Sequence, residues 1–302
     1  MTDEDINQIA HDTREEEEYP GAEAIVDYDQ EEYEIDESPI IEVHQLVKEH
    51  RISPTVYVRA VDNVNLSIWQ GEFVAITGPV ESGKSSLIQL IGCLDRPTSG
   101  TIIIDGEDVT KLATNALPRV RSEKFGFIFQ AHHLVPTLTV IENVMLPLRY
   151  RHVPPSEAER IAAEWLIKVG MENRMYHRPS ELTGCEQQKA AVARALVNSP
   201  LIILGDEPTG DLTDEEATSL MELLRGLNYE YGQTYLIATK NPDIAAMCDR
   251  VLQIEKGRII SDTAFPEDYP QPPEIIPGSV ATSNQEPGSD NQDEDDDNAP
   301  SS

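Results

Sequence analysis

The run Gly78-Pro79-Val80-Glu81-Ser82-Gly83-Lys84-Ser85-Ser86 constrains this chain more than any other stretch. Two glycines frame it, a lysine and two hydroxyls close it, and its neighbours have opposite periodicities. Before it lies a short apolar run at 73–77; after it Leu87, Leu90, Ile91 and Leu94 share one helical face. A strand, a glycine-bearing turn and the first turn of a helix, in that order, aim successive backbone N–H groups at one point. Such a point suits phosphate, because oriented amides and a helix N-terminus both favour anions. Lys84 would add a positive charge for the β- and γ-phosphates, and the Ser85 hydroxyl would be a ligand for Mg²⁺. Residues 78–86 are therefore the expected nucleotide contacts. The loop by itself indicates a bound nucleoside triphosphate and no particular activity.

A second acidic motif narrows the reading. Residues 201–204 are apolar and run into Gly205-Asp206-Glu207-Pro208-Thr209. A carboxylate at a strand end opposite a phosphate loop can complete a magnesium shell, which assigns Asp206 as a metal ligand. The next carboxylate, Glu207, can face the attacking water as general base.

Short apolar runs at 73–77, 101–104, 125–129, 201–204, 235–239 and 251–254 read as buried strands. Helical stripes lie between them: the one after Lys84, one at 156–169 opening on Ser156 and Glu159 as a capping box, an alanine-rich one at 187–197, and one at 215–227. Strands alternating with helices predict an α/β core with a largely parallel sheet. The stretch of about 131–190 has helical signals and no strand, which predicts a helical subdomain.

The net charge of −32 is concentrated at the ends. Residues 1–38 carry 16 acidic side chains against Arg14, and residues 262–302 carry 11 with no basic partner. Few apolar side chains accompany them, so disordered extensions are expected at 1–38 and 263–302 around a globular 39–262. Such acidity argues against nucleic acid or an anionic membrane as a partner of the ends. Three cysteines without metal-site spacing suit a reducing compartment. No apolar run reaches the ~18 residues of a membrane helix, and no signal peptide is evident. The chain is expected in the cytoplasm, touching a membrane only through a partner.

Taken together, these phrases resemble the ATPase subunits of ABC transporters over about residues 39–262, in particular the branch serving lipoprotein release and macrolide export. The resemblance runs through Gly71-Glu-Phe-Val-Ala-Ile, Ile91-Gly-Cys-Leu-Asp-Arg-Pro-Thr-Ser-Gly100 and Phe125-Gly-Phe-Ile-Phe-Gln130. It continues in Leu138-Thr-Val-Ile-Glu-Asn-Val-Met-Leu-Pro-Leu148, Ala193-Arg-Ala-Leu196 and Asp206-Glu-Pro-Thr-Gly210. It implies a P-loop NTPase core with an antiparallel β subdomain and a helical subdomain, binding and hydrolysing Mg-ATP. Gln130 would reach magnesium and the attacking water. An FtsX-like permease would be the partner. Two ATPase subunits, identical or different, would dimerise head to tail, each nucleotide shared between one chain's phosphate loop and the other's signature segment. An aromatic platform for adenine is implied near His50 or Tyr57.

Several positions depart from the family pattern. The signature segment reads Leu182-Thr183-Gly184-Cys185-Glu186: Thr183 and Gly184 keep a hydroxyl and a close backbone approach, Cys185 stands where the family has glycine, and Glu186 where it has glutamine. Lys240 follows Thr239 where the family has its switch histidine. It can contact the γ-phosphate as a cation but offers no neutral imidazole. Glu81 occupies a glycine position of the phosphate loop, and Thr213 an aspartate position. These changes imply slow turnover, or alternatively a nucleotide-binding regulatory subunit that gates a permease by ATP-dependent dimerisation.

Overall fold

The computed structural model describes residues 38–51, 53 and 56–264. The acidic extensions expected at 1–38 and 263–302 lie outside the described residues, apart from Ser38 and 263–264. All elements belong to the unit beginning at Pro39.

Two sheets organise the molecule. The first, of four antiparallel strands, comprises β1 (Ile41–Arg51), β2 (Tyr57–Ile68), β4 (Ser99–Ile104) and β5 (Glu107–Asp108) in the order β2-β1-β4-β5. The second comprises β3 (Phe73–Thr77), β6 (Phe125–Phe129), β7 (Ile202–Asp206), β8 (Thr234–Thr239), β9 (Arg250–Glu255) and β10 (Arg258–Asp262) in the order β10-β9-β3-β8-β7-β6. Its neighbours pair in parallel except the edge hairpin β9-β10. The helices are α1 (Lys84–Ile91), α2 (Leu117–Lys124), α3 (Val140–Tyr150), α4 (Pro155–Lys168), α5 (Gly184–Leu196), α6 (Asp214–Tyr231) and α7 (Pro242–Ala245). Between residues 131 and 190 the described chain contains helices and turns and no strand.

The central strands are apolar on both faces because each face is covered. Val74, Ile76, Leu204, Leu236 and Ala238 join one apolar core with α1 and the antiparallel sheet. Phe73, Ile203, Tyr235 and Ile237 point into a second core with α3, α4, α5 and α6. The strand period of two thus sends alternate residues to opposite layers. Phe73 and Tyr235 stack across β3 and β8 with ring centroids 5.1 Å apart.

All six strands expected from apolar runs are present, with boundaries shifted by up to two residues. The apolar signal misses β1, β2, β5 and β10. In β1 the alternation is broken by a register shift between Val43 and Leu46, where Gln45 takes a left-handed φ of 47°. Leu94 lies beyond α1 and is 43% exposed, because the helix ends at Ile91. The expected capping box of Ser156 and Glu159 does not form. Proline at the first helical position starts α4 at Pro155, so Ser156 is already inside the helix and Pro154 is the N-cap without a side-chain hydrogen bond.

One buried cation ties the two sheets. Arg250, 3% exposed at the start of β9, donates to both carboxylate oxygens of Asp262 at 2.9 and 2.7 Å, to Glu72 at 3.0 Å and to the Ser67 carbonyl of β2 at 2.9 Å. Arg250→Met should remove this clamp and leave two carboxylates without their shared cation, lowering stability by about 3 kcal/mol in a denaturant titration.

Candidate functional site

The phosphate loop takes its shape from contacts only glycine permits. Gly78 follows β3 with φ 153° and Gly83 precedes α1 with φ 108°. A Cβ on Gly78 would lie 2.1 Å from the Ile254 carbonyl oxygen, and one on Gly83 would lie 2.2 Å from that of Ala60. The loop is thus pressed between the end of β9 and strand β2, and Gly257 fastens it by donating its N–H to the Ser82 carbonyl at 2.8 Å. Helix α1 has no side-chain cap and no acidic residue in its first turn, which leaves its N-terminal amides for an anion.

Lys84 is buried, and its Nζ donates to the carbonyls of Gly78 at 2.9 Å and Pro79 at 2.8 Å. The ammonium therefore lies over the loop it must serve. Ser82 Oγ is buried without a hydrogen-bond partner. Val80 and Glu81 form the exposed crest, and Glu81 adopts φ 64°, a conformation that costs an L-residue about 1–2 kcal/mol. Ser86 lies in the first turn of α1.

Asp206 ends β7, and its carboxylate accepts a hydrogen bond of 2.8 Å from Ser85 Oγ. Gln130, next after β6, is fixed by its N–H to the Asp206 carbonyl at 3.0 Å, and its Nε2 donates to Asp211 Oδ1 at 2.7 Å. A Cβ on Gly210 would meet the Gln130 side chain at 2.9 Å, so the glycine leaves that amide its present place. Glu207 donates its N–H to the Ala238 carbonyl at 2.9 Å and has φ 49°, which turns the residue out of the strand direction. Lys240 is exposed just beyond β8, the strand paired with β7. The structure thus gathers residues 78–86, Gln130, Asp206, Glu207 and Lys240 at one edge of the parallel sheet, beyond its strand C-termini.

The fit to a triphosphate and its cation can be judged from this geometry. The loop has no room for side chains at its glycines, carries an unpartnered buried hydroxyl, and holds a lysine against its own carbonyls. A serine hydroxyl beside a carboxylate is a hard-oxygen pair, as Mg²⁺ prefers. Among the described residues no three His, Cys, Asp or Glu side chains form a metal cage. Ser85 and Asp206 thus fit a magnesium ion together with phosphate oxygens.

Thr183 and Gly184 lie elsewhere, at the N-terminus of α5, and share no hydrogen bond with the phosphate loop among the described residues. Thr183 caps α5, accepting from the Glu186 N–H at 3.2 Å, while Glu186 accepts from the Thr183 N–H at 2.9 Å. The other Glu186 oxygen accepts from Arg174 Nε at 2.9 Å. The Thr183 backbone N–H and the Arg174 guanidinium hold the Glu186 carboxyl below the ordinary range. The negative charge in the signature is thus paired. Burial pushes the Cys185 thiol up, which disfavours thiolate. Thr213 caps α6, accepting from the Glu216 N–H at 3.4 Å. The two adenine-platform candidates fall on neighbouring strands, where His50 pairs with Val58 and Arg51 with Tyr57; Tyr57 is 56% exposed.

Two residues escape the motif analysis. Gln188, fully buried on α5, donates Nε2 to the carbonyls of Phe129 at 3.2 Å and Pro208 at 2.7 Å. Arg194, also on α5, donates to the carbonyls of His132 and His133, each at 2.6 Å. The signal available for Gln188 is its place on the stripe of Ala191, Val192 and Ala195, where an amide is out of keeping.

Comparison with known proteins gives the family. The ABC transporter family matches residues 61–210. An uncharacterized ABC transporter ATP-binding protein of Thermotoga maritima is 44% identical over 204 residues, covering 68% of this chain and 87% of that protein. The macrolide export ATP-binding/permease protein MacB of Brucella melitensis is 40% identical over 249 residues, covering 81% of this chain but only 38% of MacB. Among solved structures, a dimeric ATP-binding cassette in a post-hydrolysis state, bound to ADP and Pi, is 37% identical with a TM-score of 0.69, covering 74% of this chain and 97% of that one. This chain belongs to the ABC transporter family, as an ATP-binding cassette with the P-loop ATPase fold.

Proposed function

We propose that this chain hydrolyses Mg-ATP slowly to drive an FtsX-like permease of the lipoprotein-release and macrolide-export branch, working as a head-to-tail pair of cassettes. The observation that carries the reading is the 2.8 Å contact of Ser85 with Asp206, which joins the phosphate loop to the strand end bearing Glu207. The relatives named MacB join an ATP-binding part to a permease part in one protein, and this chain spans under two-fifths of their length. No described helix is long and apolar enough to cross a membrane.

The roles follow from position. Lys84 exchanges its two loop carbonyls for β- and γ-phosphate oxygens, and the backbone N–H groups of the loop, which Pro79 lacks, complete the cradle. Ser85, Asp206 and Gln130 would hold magnesium, which would supply positive charge to the phosphates. Glu207, with no side-chain partner among the described residues, takes the proton of the attacking water. Lys240 supplies a cation to the γ-phosphate. Thr183 and Gly184, at the exposed start of α5, serve the nucleotide of the other cassette in the pair.

The departures differ in consequence. Arg174 pairs Glu186, and Thr213 keeps a capping role, so both fit the local structure. Lys240 and Glu81 have no such compensation among the described residues. An ammonium cannot accept a hydrogen bond from water as a neutral imidazole does, and loss of one acid–base group typically costs about 10²–10⁴-fold. The Glu81 carboxylate, exposed at the crest of the loop, carries the same sign of charge as the triphosphate.

Three measurements test the proposal. Glu207→Gln should abolish ATP hydrolysis while calorimetry still detects Mg-ATP binding; hydrolysis at the native rate would overturn the assignment. Lys240→His should raise kcat by at least about 10-fold, and an unchanged kcat would remove the lysine as the cause of slow turnover. Glu81→Gly should tighten ATP binding by about 1 kcal/mol, roughly fivefold, by removing a water-screened like charge.

A further inference from the structure

Helix α5 does more than present the signature segment at its first turn. Gln188 lies one turn in, 0% exposed, and both protons of its amide are committed. One acceptor is the Phe129 carbonyl, immediately before Gln130; the other is the Pro208 carbonyl, immediately after Glu207. Strands β6 and β7 pair in parallel up to Phe129 and Asp206, and the last backbone bond between them runs from the Gln130 N–H to the Asp206 carbonyl. Beyond that point no backbone hydrogen bond joins the two segments among the described residues, and the Gln188 amide bridges them where the ladder stops. Its own Oε1 is buried without a partner. A leucine on this alanine- and valine-lined face would fill space without that uncompensated acceptor, so the amide is explained by its two donations. Six residues further along the same helix, Arg194 grips the His132 and His133 carbonyls. Those two residues take φ values of 56° and 51°, a strained pair that the guanidinium holds in place just past Gln130.

We propose that Gln188 is a positioning residue for hydrolysis: it fixes Gln130 and Glu207 in one mutual register from a single helix. The same helix begins at Thr183, so its placement sets both the catalytic pair of its own cassette and the signature segment offered to the other. This inference rests on the roles given above to Gln130 and Glu207, and its test separates the two.

The experiment compares the full-length chain with Gln188→Met, which keeps size and loses both donors, alongside Glu207→Gln. The methionine variant should lose about 10–100-fold in kcat, the scale of a small misplacement of reacting groups, with the KM for ATP within about twofold. Amide hydrogen exchange should accelerate together at 130–133 and at 208–211, and stay unchanged at 78–85. Gln188→Glu provides a second arm. A protonated carboxyl donates one hydrogen bond and an ionised one donates none, so its kcat relative to the native chain should fall as pH rises through the titration of that carboxyl. Should the methionine variant not fold, this pH trend carries the test, and a flat ratio overturns the proposal. A native kcat in Gln188→Met, with hydrolysis lost in Glu207→Gln, overturns the positioning role and leaves the functional reading intact. Hydrolysis retained in Glu207→Gln removes the functional reading instead, and the exchange data alone then decide whether Gln188 joins the two segments.

Discussion

A hydroxyl at the start of α1 and a carboxylate at the end of β7 lie 2.8 Å apart, and the rest of the architecture can be read as the means of bringing them there. The loop they face grows out of β3, which is separated from β7 by β8 alone. Strands in a sheet sit about 4.8 Å apart, so the interval from β3 to β7 is roughly 10 Å, a distance the first turn of α1 can bridge. The apolar faces of β3, β7 and β8 secure that order from both sides, with Phe73, Ile203 and Tyr235 in one core and Val74, Leu204 and Leu236 in the other.

Close backbone approach is the second constraint. Gly78 and Gly83 let the loop lie against the carbonyls of Ile254 and Ala60, which come from different sheets. The phosphate site is thus a junction, and Arg250 holds that junction from behind through Ser67, Glu72 and Asp262. The strain at Glu81 fits the same account. The loop demands a left-handed residue at its crest, and this chain meets the demand with a side chain that costs both conformational energy and charge.

The altered motifs show why a substitution cannot be weighed from its identity alone. Glu186 looks hostile to phosphate in the linear sequence, yet Arg174 and the Thr183 N–H occupy both of its oxygens. Thr213 replaces an acidic residue but is itself a helix N-cap. Lys240 and Glu81 find no comparable neighbours among the described residues. Compensation depends on what the fold places within about 3 Å, and that information is absent from the spacing of motifs.

The α/β class, the six strands flagged by apolar runs, the phosphate loop and the paired acids Asp206 and Glu207 were all legible in the linear chain. Each is a local signal: periodicity, glycine placement, or a carboxylate at the end of an apolar run. Strand β1 was not legible, because the register shift at Gln45 breaks the alternation on which such recognition depends. Nor was the start of α4, where Pro155 opens the helix and the expected box of Ser156 and Glu159 does not form. Tertiary structure alone decided which polar groups meet: Ser85 with Asp206 across 121 positions, Gln188 with Phe129 and Pro208 across 59 and 20, and Arg250 with Ser67 across 183. The physical reason is that hydrogen bonds reach only about 3 Å, and groups so far apart along the chain come within that reach only after strand order and helix packing have been chosen by the burial of apolar surface.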